Sequence, residues 1–222
     1  MTTQQTPQNE ELRIEALKRY DILDTPSDGS FDRITKLASI IFDVPIAIIS
    51  LVDRDRIWFK SAQGLTISQI DREPGLCASA ILSSDIYVIG DACNDPRTLS
   101  NPLVAGEFGL KFYAAMPLQT EDECNLGTLC IIDKVPRTLT DKEQDILKQL
   151  AEVVMDEMEL RLSLRNTVNT VKKLTTDIGY QLNETIEELE NLDGELDKEK
   201  TLGYLDASKL FLQNVENRLN LL

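Results

Sequence analysis

FYAAMPLQTEDECNLGTLCIIDKVPRTLT, residues 112–140, decides the fold. It reads as an apolar strand, a charged turn, a second apolar strand ending in GTLCIID, a proline break and a helix start. FYAAMPLQ and LGTLCIID around TEDECN form a hairpin of two antiparallel neighbours. After Pro136, Thr140 stands as N-cap with Glu143 at the capping-box position, and acidic side chains fill the first turn of the outgoing helix. A sheet that hands directly into a long helix is therefore expected.

Outward from this hairpin, VPIAIISLVD (44–53) is a β-branched run buried on both faces. DRD turns it into RIWFKSAQG (56–64), a second hairpin. LCASAILSS (76–84) reads as a short buried helix, and DIYVIGDA (85–92) as another strand followed by the turn-rich CNDPRTLSNPLV (93–104). Upstream, residues 10–20 fit a short helix with Leu12, Ala16 and Leu17 as its apolar stripe and Ile14 outside it. After the turn cluster DTPSDGSF, Ser30 is expected to cap a helix carrying Phe31, Ile34, Leu37, Ala38 and Ile41 at helical spacing. Residues 1–9 are polar, without periodic apolar positions, and are expected to be disordered. The order predicts an α+β fold: a mostly antiparallel sheet with flanking helices.

From Asp141 onward the sequence contains no proline. Apolar residues recur at Leu160, Leu164, Val168, Val171, Leu174, Ile178, Leu182, Ile186, Leu189, Leu192 and Leu196, with an average step of about 3.6 residues, the period of a straight helix rather than of a strict coiled coil. NLDGELD suggests a reversal, and Leu205, Leu212, Val215, Leu219 and Leu222 form a second stripe. A helical hairpin over 166–222 is expected to dimerise as a bundle of four helices, with Leu164, Val171, Ile178, Leu205, Leu212, Val215 and Leu219 in the interface.

The formal net charge of −15 over 222 residues excludes phosphate neutralisation, so neither nucleic acid nor an anionic membrane surface is expected as partner. The longest apolar run is broken by Asp43 and Pro45 and is too short to span a bilayer, and no secretory signal is visible at the N-terminus; a cytoplasmic protein is expected. The chain has 0 histidines. That count removes imidazole bases, histidine metal ligands and a phospho-accepting histidine together. The four cysteines, Cys77, Cys93, Cys124 and Cys130, show no C-x-x-C spacing, so no metal site is expected.

With these elements in order, residues 10–165 resemble a GAF domain of a bacterial signalling subgroup. The resemblance rests on ALKRYDILDTPSDGSFDRITKLASIIFDVPIAIISLVD, RIWFKSAQGL, CASAIL, DACNDPRTLSNPLV, FYAAMPL, LGTLCIIDKVPRTLT and a closing helix through Glu159–Arg161; the tail lies outside it. It implies about six antiparallel strands with helices on one side and a loop-roofed ligand pocket on the other. Members bind cyclic nucleotides, bilins, haem or other small molecules, or only dimerise, so the ligand or cofactor stays unknown. Bilin and haem are disfavoured: Cys77 is followed by Ala78 and Ser79 rather than histidine, and no histidine can serve as axial ligand. The Asn-Lys-Phe-Asp-Glu pattern of cyclic-nucleotide-binding members is also absent.

The candidate ligand contacts are Trp58, Phe59, Cys77, Asp91, Arg97, Asn101, Phe112 and Tyr113. Adjacent members of the pairs Trp58/Phe59 and Phe112/Tyr113 must face opposite sides of the sheet, so one of each lines the pocket. Asp91, Asn101 and their neighbours are turn formers first, and Arg97 offers a planar donor fork. Cys77 and Cys130 are small buried hydrophobes or a redox pair. No acid/base pair or activated nucleophile is legible, so a non-enzymatic sensory module is expected, transmitting its state through a dimeric helical tail to a protein partner. The alternatives are a ligand-free scaffold docking a kinase or response regulator, with Trp58 and Phe112 closing the cavity, and a cysteine-based redox sensor.

Overall fold

The computed structural model describes residues 9–191 and 198–219. The expected disorder of 1–9 lies outside the described residues apart from Asn9, as do the NLDGELD reversal after Asn191 and the stripe positions Leu192, Leu196 and Leu222. The chain divides into two compact units, Met1–Leu160 and Arg161–Leu222. No helix of the described residues is long and apolar enough to cross a membrane.

The first unit is built on six strands: β1 (Ile46–Val52), β2 (Arg56–Gln63), β3 (Gln69–Asp71), β4 (Tyr87–Ile89), β5 (Phe112–Gln119) and β6 (Asn125–Asp133). They form one antiparallel sheet in the order β3-β2-β1-β6-β5-β4. Every residue of β1 and β6 is buried, as their unbroken apolar runs require at the centre of a covered sheet. Between them the backbones approach closely at Gly127, where a methyl group would lie 1.9 Å from the Ser50 carbonyl oxygen. Only glycine fits that crossing.

Helices α1 (Glu10–Arg19) and α2 (Gly29–Ile41) and the start of α5 (Asp141–Asn191) cover one face of the sheet. The expected α1 stripe is corrected at two positions: Ala16 and Leu17 are buried as expected, but Leu12 is 57% exposed and Ile14 is buried in its place. The difference lies in Arg13, also buried, whose guanidinium donates to the Val52 carbonyl at 2.6 Å and to Glu10 at 2.8 Å. An ion-paired arginine turns α1 so that Arg13, Ile14 and Leu17 face the sheet, which apolar spacing alone could not show. In α2, Asp28 rather than Ser30 is the N-cap, accepting from the Ser30 N–H at 2.9 Å. Phe31, Thr35 and Ala38 are buried, whereas Leu37 and Ile41 are exposed.

Two elements have no counterpart in the sequence reading. β3 is three residues long and α4 (Pro102–Ala105) four, both too short for a period. The exit into α5 matches expectation: the Thr140 N–H donates to the Glu143 carboxylate at 2.7 Å, and the Glu143 N–H donates to Thr140 Oγ1 at 3.3 Å. Leu147, Ala151, Val154 and Met158 then bury the inner face of the helix, and the Tyr20 hydroxyl donates to Glu159 to tie α1 to it.

In the second unit, the single tail stripe resolves into two faces of α5. Val168, Leu182 and Ile186 are half-buried, whereas Leu164, Leu174 and Ile178 are 57%, 55% and 45% exposed and Val171 37%. On α6 (Lys198–Leu219), Leu205, Leu212, Val215 and Leu219 are half-buried.

Candidate functional site

Among the described residues, the other face of the sheet is covered only by α3 (Leu76–Ala80), α4 and the loops around 65–70 and 103–110. A five-residue helix cannot fill the width of a six-stranded sheet, and a cavity of about 70 Å³ remains beneath it. Ile48, Phe59, Leu110, Tyr113, Cys130 and Ile132 form its floor, and Leu76 and Cys77 its roof. Ile67, 51% exposed, with the partly exposed Leu65, Ile70, Leu103 and Phe108, forms its mouth. No charged side chain lines it.

Strand alternation sorts the aromatic candidates. Phe59 and Tyr113 point into the cavity. Trp58 turns to the helix face, where the Lys60 ammonium sits over both its ring and that of Phe31, at 5.9 and 5.5 Å. Lys60, two residues on, falls on the same side by alternation, and a bulge in β2 opposite Ile49/Ser50 adds Ser61, whose hydroxyl lies 2.8 Å from that of Thr35 on α2. Lys60 itself is buried, with its ammonium donating to Thr25 Oγ1 and the Pro26 carbonyl, each at 2.8 Å. Phe112 likewise faces the helices, beside Phe42 and Ile131.

Asp91, Arg97 and Asn101 lie outside the cavity lining, with their polar atoms engaged elsewhere. Asp91 accepts from the Cys93 N–H at 3.1 Å and the Asn94 amide at 2.7 Å, closing a turn. Arg97 forks onto Asp95 at 2.9 and 2.6 Å, donates to the Val88 carbonyl and stacks over Tyr87 at 4.9 Å. Asn101 caps α4 through the Leu103 N–H and donates to the Pro74 carbonyl, each at 2.9 Å. These three residues shape the roof loops.

What sequence reasoning missed is the polar group inside the cavity face. Ser50 Oγ and Thr128 Oγ1 lie 2.9 Å apart, both fully buried, and the Tyr113 hydroxyl donates to Cys77 Sγ at 3.3 Å. The Cys130 thiol, then the Ser50, Tyr113 and Thr128 hydroxyls, hold the Cys77 thiol below the ordinary thiol range against the opposing effect of burial. Cys130 is pushed well above the ordinary thiol range by its bond to Cys77 and by burial, and burial raises Tyr113. Polar residues inside otherwise apolar strands were the available signal: Ser50 in IAIISLV and Thr128 in NLGTLCIID.

Residues 28–158 match the family model described as GAF domain. The chain belongs to the GAF domain family. A cyclic di-GMP phosphodiesterase of Pseudomonas aeruginosa is 38% identical over 156 residues, which cover 70% of this chain and 27% of that enzyme. The chain thus matches about a quarter of its curated relative. Two solved structures share the fold. The GAF domain of a Coxiella burnetii phosphoenolpyruvate-protein phosphotransferase has a TM-score of 0.53 and 14% identity, covering 69% of this chain and 96% of that one. The free methionine-R-sulfoxide reductase of Neisseria meningitidis, solved with its substrate, has a TM-score of 0.52 and 17% identity, covering 74% and 99%. The expectation of a non-enzymatic protein is corrected by the first of these: the relative at 38% identity is named a phosphodiesterase, an enzyme. The sequence misled because a segment matching 27% of an enzyme need not carry that enzyme's catalytic motifs.

Proposed function

We propose that this GAF unit is a ligand-controlled regulator in cyclic di-GMP signalling. A small, neutral, largely apolar molecule occupies the cavity beneath α3, and α5 passes that state to a dimeric tail that sets phosphodiesterase output. The carrying observation is the cavity itself, an apolar void of about 70 Å³ with a half-exposed mouth on one face of a sheet whose other face carries three helices. Leaving such space unfilled costs stability, and it is retained where a ligand occupies it. Trp58 and Phe112 face the helices and leave the cavity open, which favours ligand binding over a ligand-free scaffold.

Size and chemistry narrow the occupant to a handful of heavy atoms, with hydrogen-bonding groups only beside Tyr113 and the two thiols. A cyclic dinucleotide is larger and carries two phosphodiester charges that need buried donors. Cyclic di-GMP therefore enters as the substrate of the controlled output, a link supported by the Pseudomonas aeruginosa relative. The four free cysteines suit a reducing cytoplasm.

The partner of the tail is a second copy of this chain. Leu164, Val171, Leu174 and Ile178 fall on one strict heptad seam of exposed residues, the spacing that a parallel two-stranded coiled coil buries. The half-buried α6 residues are already shielded within their own unit, so the seam runs along α5.

Native mass spectrometry of the protein purified from its own host, compared with its denatured mass, tests the reading. The expected result is a non-covalent extra mass on each chain of a dimer. Leu110→Trp, which fills the cavity, should lose that mass and break the dependence of cellular cyclic di-GMP on the protein. A bare chain, or a Leu110→Trp variant that is folded and changes cyclic di-GMP as the parent does, overturns it.

A further inference from the structure

Cys77 on α3 and Cys130 on β6 meet in the cavity wall, 5% and 0% exposed, and neither is in a disulfide. Two small buried hydrophobes would need no polar company. These two have a cluster of it: the Tyr113 hydroxyl donates to Cys77 Sγ at 3.3 Å, and the Ser50 and Thr128 hydroxyls, 2.9 Å apart on the same face of β1 and β6, help to hold the Cys77 thiol down. The Tyr113 hydroxyl donates to Cys77, and the two thiols that share the cavity are driven in opposite directions, Cys77 down and Cys130 up. One sulfur is thus equipped as a nucleophile and the other as a resolving thiol. The mouth at Ile67 gives a small uncharged oxidant a route to both.

We propose that Cys77 and Cys130 are a reversible redox pair, closed to a disulfide by a small neutral peroxide entering the cavity. In the first step the Cys77 thiolate attacks one peroxide oxygen; the O–O bond breaks, an S–O bond forms, and hydroxide leaves. Cys77 is now a sulfenic acid, two electrons more oxidised, and the peroxide is reduced to water once the hydroxide takes up a proton. In the second step the Cys130 sulfur displaces the sulfenic hydroxyl, the thiol proton leaves with it as water, and the S–S bond forms. A cellular dithiol reverses the pair by exchange. The bond would fasten α3 to the central strand β6 and narrow the cavity, so oxidation would compete with ligand occupancy. The proposal needs no particular ligand and no link to cyclic di-GMP, and it stands or falls separately from them.

The test treats the reduced full-length protein with hydrogen peroxide, followed by intact mass and non-reducing peptide mapping. The expected result is loss of two hydrogens, a peptide linking Cys77 to Cys130, and recovery of the parent mass with dithiothreitol. The Cys93→Ser/Cys124→Ser double variant should behave identically. In Cys130→Ser, dimedone should trap a sulfenic acid on Cys77, and Cys130→Ala provides the same readout should the serine disturb folding. Oxidation confined to the exposed Cys93 or to Cys124, with Cys77 and Cys130 recovered as free thiols, overturns the proposal. The wild-type peptide map alone is enough to do so.

Discussion

The two faces of the central sheet carry the same kinds of side chain and are covered differently. On one face Ile49, Leu51, Leu129 and Ile131 meet α1, α2 and α5, whose inner positions Leu17, Phe31, Leu147 and Val154 are all at most 1% exposed. On the other face Ile48, Cys130 and Ile132 meet a five-residue helix and loops, and space remains. Long amphipathic helices can interlock with a sheet along their whole length, whereas short irregular segments cannot reach close packing over the same area. The proposed ligand binding and thiol chemistry both lie where regular structure stops covering the sheet.

The sharpest way to break this comparison uses neighbouring isoleucines on β1. Ile49 faces the helices and Ile48 the cavity, both essentially buried. Ile49→Ala should cost about 4 kcal/mol, because removed methyls leave a hole in close-packed surroundings. Ile48→Ala should cost about 2 kcal/mol, because it enlarges space that is already there. Urea unfolding with an unchanged m-value reads the difference. Equal costs would mean that the cavity face closes in solution.

The covered face also depends on an ionic anchor. Glu10 bridges two buried guanidinium groups, Arg13 at 2.8 Å and Arg72 at 2.6 Å, pinning α1 to the ends of the strands. Although burial opposes it, hydrogen bonds and charge from both arginines lower the Glu10 carboxyl from 4.5 to about 2. A depressed carboxylate contributes stability that is fully present above its unfolded value and lost as pH falls through the folded one. Glu10→Gln should therefore cost about 2 kcal/mol at pH 7, allowing for partial solvent screening, and the gap to wild type should shrink between pH 4.5 and pH 2. Chemical denaturation at a series of pH values checks this, and a constant gap would place the effect in packing instead.

How much of this was legible depends on what each signal averages over. β1, β6 and the helix exit were clear because long apolar runs and a capping box are local and redundant. The α1 stripe misled at Leu12 because Arg13 is buried through long-range partners, Val52 and Leu126 carbonyls, that no local period encodes. Alternation placed one member of each aromatic pair in the pocket, and the β2 bulge, invisible in the sequence, decides where Ser61 goes. Asp91, Arg97 and Asn101 read as turn formers first and ligand contacts second, since both roles use short polar side chains or a donor fork. Cys77 and Cys130 were legible as a pair but not as part of a hydroxyl cluster, because Ser50 and Thr128 come from strands far apart in sequence.

The tail repeats the comparison on a single helix and yields the smallest stability effect. Its average step of about 3.6 residues arose from merging two faces, a shielded one through Val168, Leu182 and Ile186 and an exposed one through Leu164, Val171, Leu174 and Ile178. Taken alone, the exposed face keeps the heptad register of a two-stranded seam. Leu164→Glu with Ile178→Glu places charges where solvent already reaches, so the unfolding free energy of the sheet unit should move by no more than about 0.5 kcal/mol. Sedimentation should nevertheless shift from dimer to monomer, because two buried carboxylates facing their copies repel each other. The paired substitution Val168→Glu with Leu182→Glu should do the reverse, loosening the tail helices while leaving the seam residues in place. If both pairs leave association unchanged, dimerisation does not run through α5, and the route from cavity to output must leave the sheet unit by another element.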